Sequence, residues 1–261
     1  MTANALLLQQ RAVGHVKLHM GVLGVSRLRE AGAAKVRIPP GSRHAILINT
    51  AGGLAGGDEF QFDMVAESDA QLTVISQASE RVYRTLGPMA KVTTTLKVED
   101  NARLNWLPHE TILFDGSALE RNITIDLTAT SRFIGLESVV LGREASGETI
   151  RSVFYRDSWT IRRDGKLLHK DIVAIDGLPP ASKATLGAGR AIASLVFVAP
   201  NADSYLERVC AVVGPIGGAS AWNGKLVARL VARDGLALRN VLISLLAVIV
   251  PDDELPRAWT T

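Results

Sequence analysis

Apolar and polar residues alternate through most of this chain. Residues 13–20, VGHVKLHM, place Val16, Leu18 and Met20 on one face and His15, Lys17 and His19 on the other, the pattern of a half-buried strand. Gly21 and Gly24 break it. Residues 27–40 lead to a turn at Pro39-Pro40-Gly41, with a short strand at 35–38. Residues 45–48 read as a buried strand that runs into LINTAGGLAGGD, residues 47–58, with four glycines in six positions.

A repeat follows. Residues 60–77 (FQFDMVAESDAQLTVISQ), 94–112 (TTLKVEDNARLNWLPHETI) and 123–140 (ITIDLTATSRFIGLESVV) each hold a strand, a five-residue polar turn and a second strand. Aligned on the turns, Ala66, Val98 and Leu127 precede them, while Leu72, Leu104 and Phe133 follow. One such unit cannot bury both of its faces, but stacked units share a continuous core. The fold class predicted is mainly β, a stacked or helical β-sheet of β-solenoid type, with about two α-helices in the C-terminal part.

Asp164-Gly165 and Asn223-Gly224 are two-residue hairpin signals. After loops near Gly177 and Gly187 the character changes. Residues 191–198 form an apolar strand, and Asp203 or Ser204 is positioned to cap a helix through Val213. Leu238, Leu242, Leu245 and Ile249 make a helical stripe ended by Pro251. The chain reads as one domain over 1–261, with a repeated β core over 13–180 and a β-α-β-β-α part over 190–250 packed on it.

Composition narrows the classes. The 261 residues are 47% hydrophobic and 21% charged, which suits a globular domain. A net charge of +3 is spread out, and Arg162-Arg163 is the one adjacent basic pair, so no nucleic-acid partner is expected. A single cysteine excludes an internal disulfide. Residues 1–11 lack a basic segment ahead of their short apolar run. Residues 241–250, the longest apolar run, cover about half of the ~20 needed to cross a bilayer. A cytoplasmic chain without membrane partners is the expectation.

Chemistry is sparse. Gly52, Gly53, Gly56, Gly57 and Asp58 are not a phosphate loop, because no lysine lies between Lys35 and Lys91 and a strand pattern follows. They read as a structural glycine motif that permits tight packing or close approach of a partner. His15 and His19 stand about 13 Å apart along a strand, too far for one ion. Cys210 reads as a buried small hydrophobe, and Ser146 lacks a nucleophile-elbow context. Three polar clusters each follow the second strand of a repeat: Glu80-Arg81-Val82-Tyr83-Arg84, residues 110–116 and residues 142–148. Stacking brings them to one side as a partner surface or a ligand-guiding region; solvated loops are the plain alternative.

These motifs resemble one family. NTAGGLAGGD (49–58), ERVYR (80–84), WLPHETILFDG (106–116), GREASGE (142–148) and the terminal LPRAW (255–259) occur in the order found in urease accessory protein D, the UreD/UreH family. The resemblance covers nearly the whole chain. It implies a non-enzymatic urease maturation factor, a scaffold or chaperone with a mostly β fold. It also implies binding to urease apoprotein and accessory protein F, recruitment of the GTPase accessory protein G through F, and help in GTP-dependent nickel insertion. No tightly bound cofactor and no fixed metal site are implied, only nickel in transit along a polar internal route. Carboxylate oxygens suit transit, since they hold such ions less tightly than clustered imidazole or thiolate. On this reading Glu110, Asp115, Glu144 and Glu148 are route candidates. Glu80, Arg81, Tyr83, Arg84, Gly142 and Arg143 join them as partner-surface or route residues. The rival reading is a β-solenoid carbohydrate hydrolase or lyase using the paired carboxylates; an aromatic content of 5% argues against its sugar-binding cleft.

Overall fold

The computed structural model describes residues 11–143, 146–178, 182, 185–250 and 255–259. Its first half is built from β1 (Val13–Gly21), β2 (Gly24–Gly32), β3 (Ala34–Arg37), β4 (His44–Asn49), β5 (Glu59–Ala66), β6 (Gln71–Ser76), β7 (Glu80–Val82), β8 (Ala90–Val98), β9 (Arg103–Trp106) and β10 (Thr111–Leu113). Then come β11 (Ala118–Leu127), β12 (Arg132–Leu141), β13 (Val153–Arg163), β14 (Lys166–Gly177) and β15 (Ala191–Val198). The helix α1 (Leu206–Val213), strands β16 (Gly217–Trp222) and β17 (Lys225–Ala232), and the helix α2 (Gly235–Ile249) complete it.

Each repeat gives its first strand to one sheet and its second to another. The first sheet runs β14-β13-β11-β8-β5-β1-β2, the second β16-β17-β15-β12-β9-β6-β4-β3. Ala66, Val98 and Leu127 are register partners in adjacent parallel strands, and so are Leu72, Leu104 and Phe133. The sequence alignment of the repeats is thus the spatial register of a β-helical, solenoid-like core.

The turns stack as well. Asn101 Nδ2 donates to Asp69 Oδ1 (3.1 Å), and the Asn101 N–H donates to Thr130 Oγ1 (2.9 Å). Asp69 and Asn101 hold φ near 61° and 57°, a conformation that Asp and Asn tolerate better than most residues. Antiparallel hairpins close the first sheet at both ends, β1–β2 and β13–β14. Asp164-Gly165 and Asn223-Gly224 both turn with two positive φ angles, as hairpin twist requires.

Two apolar layers result. β12 shows both: Phe133, Val139 and Leu141 point between the sheets, whereas Ile134, Leu136 and Val140 pack toward the helices. α2 buries Leu238, Leu242, Leu245 and Ile249 in that second layer and is capped by Asp234, whose Oδ1 accepts the Ala237 N–H at 2.7 Å. The C-terminal strands β15, β17 and β16 continue the second sheet beyond β12, each antiparallel to the strand before it in that order.

Three expectations need correction. β2 lies where glycines were read as breakers; most of its side chains are exposed, so it carries no burial alternation to detect. α1 starts at Leu206 after a 3₁₀ turn, with no side-chain cap; Ser204 Oγ instead donates to the Asn201 carbonyl at 2.8 Å. Cys210 is exposed, because α1 turns Val209 and Val213 inward. Pro251 lies outside the described residues.

Candidate functional site

A cavity of about 340 Å³, lined by apolar side chains with polar and charged groups among them, lies between the two sheets. Its opening follows from the strands. β12 pairs with β9 over residues 132–135 and with β10 over 139–141; between them Pro108, which has no N–H to give, interrupts the ladder. The same gap crosses the neighbouring turns of the solenoid, between β6 and β7 and after β4. Asn49, Gly52, Gly53, Ser79, Glu80 and His109 line this gap, and Thr94, Trp106, Thr111, Glu137 and Arg121 line the interior behind it.

At the mouth, Asn49 Nδ2 donates to Glu80 Oε2 (3.2 Å) and to the Gly53 carbonyl (3.0 Å). Burial raises the Glu80 carboxyl above its usual range, against hydrogen bonds from Asn49 and the Arg81 N–H. The His109 ring stacks on Trp259 at 5.7 Å, and Trp259 Nε1 donates to the Leu107 carbonyl at 2.9 Å, which ties residues 257–259 to the gap.

The interior end is an ionic cluster. Arg121 reaches Asp157 through Nε (3.1 Å to Oδ1) and Nη2 (3.0 Å to Oδ2), and its Nη1 lies 2.5 Å from Glu137 Oε2. Tyr155 and Trp159 also donate to Asp157, while Trp106 Nε1 donates to Glu137 Oε1 at 2.8 Å. All three charged residues are buried. Glu137 Oε2 sits close to the guanidinium but outside hydrogen-bond geometry. Burial pushes Glu137 up to about 7, against the pull of Arg121. Burial works against the Arg121 charge too, yet Asp157 and Glu137 hold that group well above its ordinary value. Two carboxyl groups thus face one guanidinium, which leaves one negative charge over whenever both are ionised.

Gly135, beside Glu137, is needed for close approach: a Cβ there would stand 2.6 Å from the Trp159 ring of the opposite sheet. This cluster was legible but missed. Arg121 and Asp157 occupy inward positions of alternating strands, at 119, 121, 123 and at 155, 157, 159, and Glu137 is the one acid of the apolar run FIGLESVVL.

The polar clusters singled out in the sequence gather mostly outside the cavity. Arg81, Tyr83, Glu110, Gly142 and Arg143 line a broad outer groove with Phe114 and with Leu236 and Arg239 of α2. Arg143 stacks over Phe114 at 4.4 Å and pairs with Glu148 at 3.2 Å. Tyr83 Oη donates to the Gly52 carbonyl at 2.8 Å, Arg84 packs over Gly116, and Ser79 donates to Glu110. Asp115 accepts the N–H groups of Arg151 (2.7 Å) and Ser152 (3.1 Å), which hold its carboxyl below the usual range. Burial works to raise Glu148, but hydrogen bonds from Arg143 and the Asp115 N–H outweigh it and lower it. Only Glu80 and Arg81 of the candidates reach the cavity, and Glu144 lies outside the described residues. The structure offers two polar regions, one on each side of β7, with Arg81 shared between them.

The glycine motif sits at the mouth. Gly53 has φ +145°, and a Cβ there would meet the Tyr83 ring at 2.3 Å; at Gly56 it would meet Thr85 Oγ1 at 1.9 Å. Asp58 is buried and accepts the N–H groups of Ala12 (2.8 Å) and Ala55 (2.7 Å), pinning the loop to β1. His15 and His19 point to the outer face of the first sheet, with His15 bonded to Asp63 at 2.8 Å. Among the described residues, no group of three or more His, Cys, Asp or Glu side chains is placed to hold a metal ion. None of the described helices is long and apolar enough to cross a membrane.

A mostly parallel two-sheet coil with a split second sheet, a buried ionic cluster inside an apolar core and a helical cover defines a protein of the β-helical class. The comparisons name the family. The UreD urease accessory protein family matches residues 11–260. The chain is 42% identical to the urease accessory protein UreD of Rhizobium leguminosarum bv. viciae, over 96% of each chain. It is 40% identical to that of Chelativorans sp., over 96% of this chain and 95% of the relative. With that of Sinorhizobium medicae it shares 39% over the full length of both. The chain belongs to the UreD urease accessory protein family.

Proposed function

We propose that this chain matures urease as a scaffold that passes nickel, its cargo, through the inter-sheet cavity. One observation carries the reading: a gap in the second sheet leads from the exposed Gly52 and Arg81 to the buried Glu137–Arg121–Asp157 cluster. Oxygen donors at Glu80, Thr94, Thr111 and Glu137 suit a divalent first-row ion that must leave again. Arg121 offsets part of the carboxylate charge and so limits how firmly a cation is held. The surplus carboxylate supplies the attraction. In this reading Glu80 receives the ion at the mouth and Glu137 takes it further in.

The outer groove serves docking. Arg81, Glu110, Arg143 and Arg239 surround the apolar surface of Phe114 and the exposed Leu236, the mix of anchor and polar rim that protein interfaces use. Accessory protein F is the partner assigned to it, bringing the GTPase accessory protein G; urease apoprotein completes the cytoplasmic assembly. Asp115 and Glu148 support this groove by fixing the loops around it rather than by contacting nickel. No reaction is assigned to the chain.

Co-expression of the urease operon with and without this chain is the test. Nickel-loaded, active urease only in its presence, together with co-purification of accessory protein F and urease apoprotein, is the expected result. Full nickel loading without the chain would overturn the proposal.

A further inference from the structure

The sandwich also buries an ionisable group at a distance from the cavity. Lys225 opens β17, immediately after the Asn223-Gly224 turn, and points toward β14 of the facing sheet together with Val227 and Arg229. It is 2% exposed. Its Nζ lies 4.1 Å from the centre of the Trp222 ring. Among the described residues, no hydrogen bond or ion pair reaches this ammonium. An ammonium with three donors, a narrow opening to solvent and only a ring face for company lacks a counter-charge unless an anion joins it.

The groups around it are also cationic or donor-rich. Arg163 donates from Nη2 to the carbonyls of Asn223 (3.1 Å) and Gly224 (3.3 Å), while its Nε is buried with no partner. His169 of β14 packs edge-on against Trp222, 6.4 Å between ring centres, and its Nε2 is likewise buried and unpartnered. Arg229 is matched by Asp171, so it brings no surplus charge. Burial and the neighbouring Arg163 together lower the Lys225 amine from its ordinary value, as expected of a site that lacks its counter-charge.

We propose that this end of the sandwich binds a small oxyanion, a phosphate- or carboxylate-type ion, between Lys225 Nζ, Arg163 Nε and His169 Nε2. Trp222, 42% exposed, forms the outer wall through which the ion enters. The site stands apart from the inter-sheet cavity and does not depend on the role proposed for it.

The test is thermal unfolding of the full chain, titrated with phosphate or formate against chloride at constant ionic strength. Binding to the folded state raises Tm in a saturable way. We expect such a rise with one or both oxyanions, accompanied by a change in Trp222 fluorescence that is absent in Trp222→Phe. In Lys225→Met the apparent affinity should fall about tenfold or more, as for loss of one charge-assisted contact. Should that variant not fold, Arg163→Gln and His169→Gln carry the same comparison. Equal responses to chloride and to both oxyanions would overturn the proposal, as would an oxyanion response that survives in every folded variant.

Discussion

Arg121 and Asp157 form a bidentate ion pair across the neighbouring parallel strands β11 and β13, with both residues buried. Asp157 also accepts from Tyr155 and Trp159, so it takes four hydrogen bonds from three side chains. Asp157→Ala takes from the buried Arg121 its bidentate partner and from Tyr155 and Trp159 their acceptor, and should cost about 3–5 kcal/mol. Replacing the three charges together, with Arg121→Met, Glu137→Met and Asp157→Leu, should cost clearly less, because no charge is stranded. Urea unfolding of the two variants beside the parent checks the order.

Glu137 should make stability depend on pH in a defined direction. Its carboxyl is raised from 4.5 to about 7, so the folded chain keeps a proton that the unfolded chain has already released in that window. Stability contributed by this group therefore falls as pH climbs from about 4.5 to about 7, then levels off. Glu80 acts in the same sense, while His19 and His169, lowered by burial, act in the opposite one. The difference between parent and Glu137→Gln isolates the term. Stability curves from pH 4.5 to 8 should lie farther apart at pH 7 than at pH 4.5, with Gln at 137 gaining relative to Glu as pH rises.

The glycines at the mouth should separate by mechanism. Gly52→Ala meets open space but holds φ +77°, so backbone strain alone should cost on the order of 1 kcal/mol. Gly53→Ala adds the Tyr83 ring at 2.3 Å, and Gly56→Ala meets both Thr85 and the Pro88 carbonyl at 2.5 Å; each should cost more than Gly52→Ala. Thermal unfolding of the three single variants gives the ranking.

Trp259 is buried, donates to the Leu107 carbonyl, and stacks on His109 at the cavity mouth. Trp259→Ala should cost about 3–5 kcal/mol, in the range for large buried aromatics. It should also move the ring-proton NMR signals of His109, which loses the aromatic face it stacks on.

Much of the architecture was legible because burial in a sheet writes itself as period two. Ala66, Val98 and Leu127 were aligned from sequence and are register partners, as are Leu72, Leu104 and Phe133. β2 was not legible, since an exposed edge strand has no buried face to alternate with. Cys210 was misjudged because α1 has only two turns, too few to fix which flank of an apolar stripe faces inward. The site was legible only in part. Polar residues between strands mark Glu80 and the outer groove. Arg121, Glu137 and Asp157 sit inside strands at inward positions, and a charge at a core position is the signal that points to them.

On the proposed function, the cavity carries nickel while the outer groove carries partners. This is tested most directly by the nickel content of urease recovered after co-expression with Glu137→Gln or Glu80→Gln, measured beside co-purification of accessory protein F. The account predicts that complexes form as with the parent chain while nickel per urease active site drops at least severalfold. Undiminished nickel with both variants, or loss of the complexes themselves, would contradict it.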